Sequence, residues 1–141
     1  MKIKSIIGLF FCLCILLSCS DNGNQNSPSA NIELGGAWSI TQVLLGFSSN
    51  LQTYPPNTIV WTFNTQNQTV QIQNNSSNPN DRYIFENGTY PYVLTPNSDG
   101  NLDCPQTLKV QDVQMGCCTI TNGELNLSAI YLDGDYVKLV R

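Results

Sequence analysis

Cys118-Thr119-Ile120-Thr121-Asn122-Gly123-Glu124-Leu125-Asn126-Leu127-Ser128 reads as two alternating runs joined by an Asn-Gly pair. Cys118 and Ile120 alternate with Thr119 and Thr121, and Leu125 and Leu127 alternate with Asn126 and Ser128. Successive side chains of a strand point to opposite faces, so each run has one apolar and one polar face. A two-residue turn of type I′ needs positive φ at both centres, and Asn-Gly reaches it at least cost. The segment therefore predicts a β-hairpin with one buried face.

The same pattern extends outward in both directions. Val137 and Leu139 follow the turn signal Asp133-Gly134. Upstream, Trp38, Ile40 and Leu44 alternate with Ser39, Thr41 and Val43, and Ile59, Trp61 and Phe63 alternate with Thr58, Val60 and Thr62. Val70 and Ile72, then Tyr90, Tyr92 and Leu94, then Leu108 and Val110 continue it, with a short extra run at Arg82–Glu86. No segment sustains a helical period. Short β-rich runs separated by turn clusters predict an all-β fold. Sequential hairpins make an up-and-down antiparallel meander, and about eight strands are enough to close a barrel and remove its edges.

The N-terminus carries a second signal. Lys2 and Lys4 precede an apolar stretch from Ile6 to Leu17, whose end forms the run Leu16-Leu17-Ser18-Cys19. A basic start, a short apolar run and a small residue at the cut make a secretory signal, and this one ends as a bacterial lipobox. The apolar stretch is shorter than the ~20 residues that span a bilayer. The expected layout is a signal peptide over 1–18, a flexible tether over 19–31 and one barrel domain over 32–141. Cys19 is the expected lipidation site. Each buried methylene of an acyl chain adds about 0.8 kcal/mol of membrane affinity. The expected location is the bacterial cell envelope, at the outer membrane, on its periplasmic face or the cell surface. A polar coil the length of the tether spans on the order of 20 Å, which keeps the domain close to the bilayer.

Composition excludes several classes. Processing would leave the bases Arg82, Lys109, Lys138 and Arg141 against ten acids, a net charge of −6. A nucleic-acid partner needs a basic footprint that this chain lacks. The chain has no histidine, so it lacks the usual general base and the commonest metal ligand. No catalytic set, cofactor site or metal site is expected. Asn97 to Asp103 places oxygen side chains at alternate residues, but its glycine is misplaced for a calcium loop and no bidentate Glu follows, so it reads as a solvated turn.

Gly36-Ala37-Trp38 at the start of the first run and Arg141 at the end of the last resemble the lipocalin pattern. In lipocalins, an early Trp and a late basic residue pack together and close the barrel base. Trp61-Thr62-Phe63, Gly88-Thr89-Tyr90 and the terminal run Tyr136 to Arg141 are similar to segments of short lipocalin-like lipoproteins of Bacteroidetes-type bacteria. The likeness covers Leu34 to Arg141. The chain has no mid-chain counterpart of the lipocalin Thr-Asp-Tyr motif, so it resembles the short lipocalin-like barrels rather than full lipocalins. The resemblance implies a binding protein built on a lipocalin-like β-barrel. Geometry gives the same pairing independently, because an even-stranded meander brings the start of its first strand and the end of its last to one rim.

The candidate ligand-binding residues face the expected interior: Gln42, Trp61, Ile72, Tyr90, Tyr92 and Leu127. They suit a small apolar ligand, although side chains alone can fill an eight-stranded barrel. The other reading is a monomeric surface module that meets a protein partner or acts as an inhibitor through rim loops. Those loops are expected at Phe47–Asn57, Asn74–Asn87, Asp112–Gly116 and Tyr131–Gly134, with Tyr54, Pro55, Pro56, Met115 and Tyr131 as contact residues. Disulfide candidates are Cys104, Cys117 and Cys118. An oxidising compartment favours one bridge and one leftover thiol. A hairpin turn at Asp112–Gly116 would put Cys104 and Cys117 about seven residues apart along the strand at ~3.3 Å each, too far for a bridge. A Cys104 bridge therefore requires a different turn, or a chain that folds back.

Overall fold

The computed structural model describes residues 32–46, 50–78, 81, 83–97, 103–129 and 134–141. Cys19, the signal peptide, the tether, Tyr131 and most of the Asn97–Asp103 turn lie outside them. The strands are β1 (Gly36–Leu44), β2 (Leu51–Thr53), β3 (Ile59–Asn64), β4 (Thr69–Asn74), β5 (Gly88–Pro96), β6 (Gln106–Val110), β7 (Val113–Thr121), β8 (Glu124–Ser128) and β9 (Tyr136–Val140). Strands β1 and β3 to β9 pair in sequential antiparallel order, and β1 also pairs with β9. The result is a closed, up-and-down barrel of eight strands. The ninth strand, β2, is a three-residue addition that pairs with β1 alone.

Two long strands change partner partway along. β1 pairs with β3 through Gly36–Ser39 and with β9 from Ser39 to Leu44. β5 pairs with β4 up to Pro91 and with β6 from Tyr92 onward. These two strands carry the sheet around the barrel's corners. The core is the inward set predicted by alternation: Trp38, Ile40, Ile59, Trp61, Val70, Ile72, Leu108, Leu125, Leu127 and Leu139 are all buried.

Three expectations on the strands need correction. Gln42 does not face the interior. A register shift between Ile40 and Gln42 leaves Thr41 as an extra residue in β1, and a bulge reverses the faces of all residues beyond it. Val43 is consequently buried and Gln42 half-exposed. The β6–β7 turn lies at Gln111-Asp112, not at Asp112–Gly116, and the residues from Val113 on belong to β7. Of the expected run Arg82–Glu86, the described residues 83–86 supply no strand, only a single Tyr83–Phe85 bridge.

The corrected turn resolves the cysteine geometry. Cys117 pairs with Thr107, which brings it within 5.4 Å, Cα to Cα, of Cys104, and the two form a disulfide. That separation falls inside the range a disulfide requires. Cys118 points to the other face, buried and free, and burial pushes its thiol up to about 12.

Candidate functional site

The strand directions define two rims. The base rim holds the start of β1, the β3–β4, β5–β6 and β7–β8 connections, and Arg141. The opposite rim holds the β2 segment and the β4–β5, β6–β7 and β8–β9 connections.

The base is closed by residues 32–35 and Arg141. Leu34 is buried beneath the barrel. Trp38 Nε1 donates to the Leu34 carbonyl at 2.7 Å. The Arg141 guanidinium lies over the Trp38 ring, 4.5 Å from its centroid. It also donates to the carbonyls of Glu33 and Gly35 at 3.1 and 3.0 Å. A cation over an indole face is attracted by the ring quadrupole, worth about 0.5–1 kcal/mol at an exposed site. Every polar group named here has a partner.

The far rim is capped by the β4–β5 connection. The backbone of its described residues is held by short polar side chains. The Asn74 side chain accepts from Ser76 N at 2.9 Å and donates to the Asp81 carbonyl. Asp81 in turn accepts from the Ser76 hydroxyl at 2.6 Å and from Asn78 at 3.1 Å. Asn87 Oδ1 accepts from Asn74 N at 2.6 Å, tying the two ends of the connection together. Asn and Ser are suited to this because their side chains bond to nearby backbone.

From this frame Tyr83 and Phe85 turn into the barrel mouth. Tyr83 is buried and lies against Trp61 with ring centroids 6.4 Å apart, while Phe85 meets the same indole edge-on at 5.8 Å. Phe85 also touches Tyr90 at 5.1 Å. Tyr83 and Asp135 line the same cleft, and the Asp135 carboxylate accepts from Gly46 N at 3.0 Å. Burial first, and the Asp135 charge second, hold the Tyr83 hydroxyl far above its ordinary range, so it remains a proton donor. Asp135 thus joins the end of β1, the start of β9 and the cap. Beside it lies a cleft of about 180 Å³ lined by Tyr83, Ile84, Val113, Met115, Ala129 and Asp135 among others.

Two details of this end are costly. The Phe85 amide donates to the Tyr83 carbonyl at 2.5 Å, closing a three-residue turn whose centre, Ile84, has φ of 52°. A β-branched residue in the left-handed region is a genuine outlier. The Trp61 indole Nε1 is fully buried and has no hydrogen-bond partner. A buried donor left unsatisfied costs about 1–3 kcal/mol.

The expected ligand-binding residues separate into three groups. Trp61, Ile72, Tyr92 and Leu127 share the barrel core, and Trp61, Ile72 and Leu127 have 0–1 % of their surface accessible. Accessible surface includes the walls of any internal void, so no water-sized space borders those three. Tyr90 sits half-buried under the cap with its hydroxyl donating to the Glu86 carbonyl at 3.0 Å. Gln42 lies outside the core. Of the expected rim residues, Tyr54 and Met115 are buried, whereas Pro55 and Pro56 are exposed. Met115 owes its position to a second bulge, where Leu108 pairs with Gly116 and Lys109 with Gln114. Gly116 has φ of 82°, and a Cβ there would lie 2.1 Å from the Ser128 carbonyl oxygen. Sequence reading missed Tyr83 and Asp135 as a contact pair, because nothing local links residues 52 positions apart. No family model, curated protein or solved structure matches the chain.

Proposed function

We propose that this chain is a lipid-anchored lipoprotein of the bacterial envelope, with a lipocalin-like barrel that binds through its capped rim without catalysis. The observation that carries this reading is the packing of the inward face. Trp61, Ile72, Leu125 and Leu127 leave no accessible surface worth the name, so the interior serves as a core and not as an open calyx. Binding then belongs to the rim, as loops on a rigid scaffold commonly provide it.

The placement of the chain's ends supports the choice of rim. The segment 32–35 enters at the base, beside Arg141. An acyl anchor on Cys19 would therefore hold the base toward the membrane and present the cap away from it. The anchor is tested with Cys19→Ala, fractionation and labelled fatty acid. Loss of both label and membrane retention is expected, and unchanged retention with label would refute the lipoprotein reading. The rim is tested by photo-crosslinking in the native envelope from positions 84 and 93. Ile84 on the cap and Val93 on the barrel wall are similarly exposed, at 50 and 53 %. Adducts from position 84 and none from 93 are expected; equal labelling would remove the rim as the binding end.

A further inference from the structure

Among the described residues Trp61 is the one core side chain with an unused strong donor, and two of the rings packed against it belong to a single strained turn. Its Nε1 is unpartnered at 0 % exposure. Tyr83 and Phe85, on either side of Ile84, supply two of the three aromatic rings packed against it, and the third, Phe63, is its neighbour in β3. The turn pulls itself out of a favourable conformation at Ile84, and the side chain of Ile84 gains little in return, because half of it is exposed. Opening the turn would relieve that backbone and free the indole. A cleft of about 180 Å³ already adjoins Tyr83, so an incoming group has space to start from.

We propose that the Tyr83–Phe85 turn is a removable plug, and that the space it vacates is a binding site for a neutral, flat aromatic molecule whose acceptor oxygen takes the Trp61 Nε1 hydrogen. This rests on the reading that the capped rim is the binding end and names the chemistry it would take. Flatness follows from the ring it replaces, since Tyr83 lies at 29° to the indole. The acceptor follows from the unpartnered N–H, because a site with an unpaired buried donor discriminates strongly for a ligand that pairs it. An anion is disfavoured by the walls, whose described residues include the Asp135 carboxylate and no basic side chain. Asp135, which lines the same cleft as Tyr83, is the latch. The base shows the permanent alternative: there the Trp38 donor is already satisfied by Leu34 and its ring is covered by Arg141.

The test uses the full-length protein, 15N-labelled at its two tryptophans, with Trp61→Phe assigning the indole resonances. Coumarin, flat with a carbonyl acceptor, is the probe, and naphthalene is its acceptor-free control. Coumarin should move the Trp61 indole N–H downfield and leave that of Trp38 in place; naphthalene should not produce the downfield shift. Tyr83→Ala should bind coumarin about tenfold more tightly, because the closed conformation no longer competes. Ile84→Gly, which relieves the left-handed strain and keeps the plug rings, should bind it several-fold more weakly. It keeps the test meaningful should Tyr83→Ala not fold. No movement of the Trp61 resonance in wild type or Tyr83→Ala, or tighter binding by Ile84→Gly, would overturn the plug. Adducts from position 84 with a silent Trp61 would defeat the plug and leave the rim reading standing. A shifted Trp61 without such adducts would do the reverse.

Discussion

Trp38 and Trp61 face one another across β1 and β3, directly paired in register, yet they end in opposite circumstances. Trp38 turns to the base, where a carbonyl takes its N–H and a guanidinium covers its ring. Trp61 turns to the cap, where aromatic rings surround it and nothing takes its N–H. Both are buried, so the difference lies in satisfaction and not in burial. A core polar group with every partner in place rigidifies its surroundings, whereas a partly satisfied one marks where another arrangement can compete. The base is accordingly a structural closure, and the plug proposed above requires the cap to hold less tightly.

The largest expected effect tests this directly. Trp38→Ala should cost about 3–5 kcal/mol, the range for a large buried ring that leaves a cavity. Tyr83→Ala removes a buried ring too, but from the edge of the core and beside a cleft into which neighbours can relax, so it should cost less than half as much. Urea denaturation of the two variants measures the contrast. Equal losses would erase the distinction between the rims.

Covalent closure is the next largest. The Cys104–Cys117 bridge ties the β5–β6 connection of the base rim to β7. Its loop of intermediate length predicts a loss of about 2–3 kcal/mol in Cys104→Ser, from the unfolded chain regaining loop entropy. Native-state hydrogen exchange should quicken at the base rim and leave the amides of 83–85 unchanged. Faster exchange at both ends would mean that base and cap form one cooperative unit.

The cysteines also show where sequence reading reaches its limit. The Asn122-Gly123 turn was legible because its two residues carry the required positive φ, 55° and 79°. The Gln111-Asp112 turn was not: Gln111 adopts φ of 51° without being a residue type that favours it. Shifting that turn by a few residues changed a bridge from unreachable to formed. The two bulges were likewise silent. Thr41 looks like ordinary alternation and Met115 reads as a loop residue, and only the pairing register shows that an extra residue has moved Gln42 out and Met115 in. The barrel was legible because its signal is repeated in every strand. The Trp38–Arg141 juxtaposition follows from topology alone. The cap was not legible, because Tyr83 meets Trp61 and Asp135 through packing of distant segments, which no local pattern encodes.

Removing the cation from the base gives a smaller effect. Arg141→Ala should cost about 1 kcal/mol, since the guanidinium is exposed and its attraction to the indole is partly screened. Combined with Trp38→Ala, the losses should fall short of additive, because groups in contact share their interaction energy. Strict additivity in a double-mutant cycle would mean that Arg141 acts through the Glu33 and Gly35 carbonyls and not through the ring.

The smallest effect distinguishes the cap by pH. Burial and the Asp135 charge raise the Tyr83 hydroxyl well above the ordinary tyrosine value of about 10. A folded-state value above the unfolded one contributes stability that is fully present below pH 10. That stability is lost as pH rises, because the unfolded state releases its proton first. Integrating that difference for a single site gives a loss of ~0.8 kcal/mol at pH 10.5 relative to pH 8. Tyr54 and Tyr92 are raised as well, so the wild-type slope alone does not isolate Tyr83. The comparison with Tyr83→Phe does: the variant should lose the latch at every pH, yet its stability should fall less steeply between pH 8 and 10.5. The opposite result, identical slopes in the two proteins, would mean that the Tyr83 hydroxyl is already open to water in the folded state. The cap would then stand apart from Asp135, and the contrast between a sealed base and a latched mouth would rest on the Trp61 donor alone.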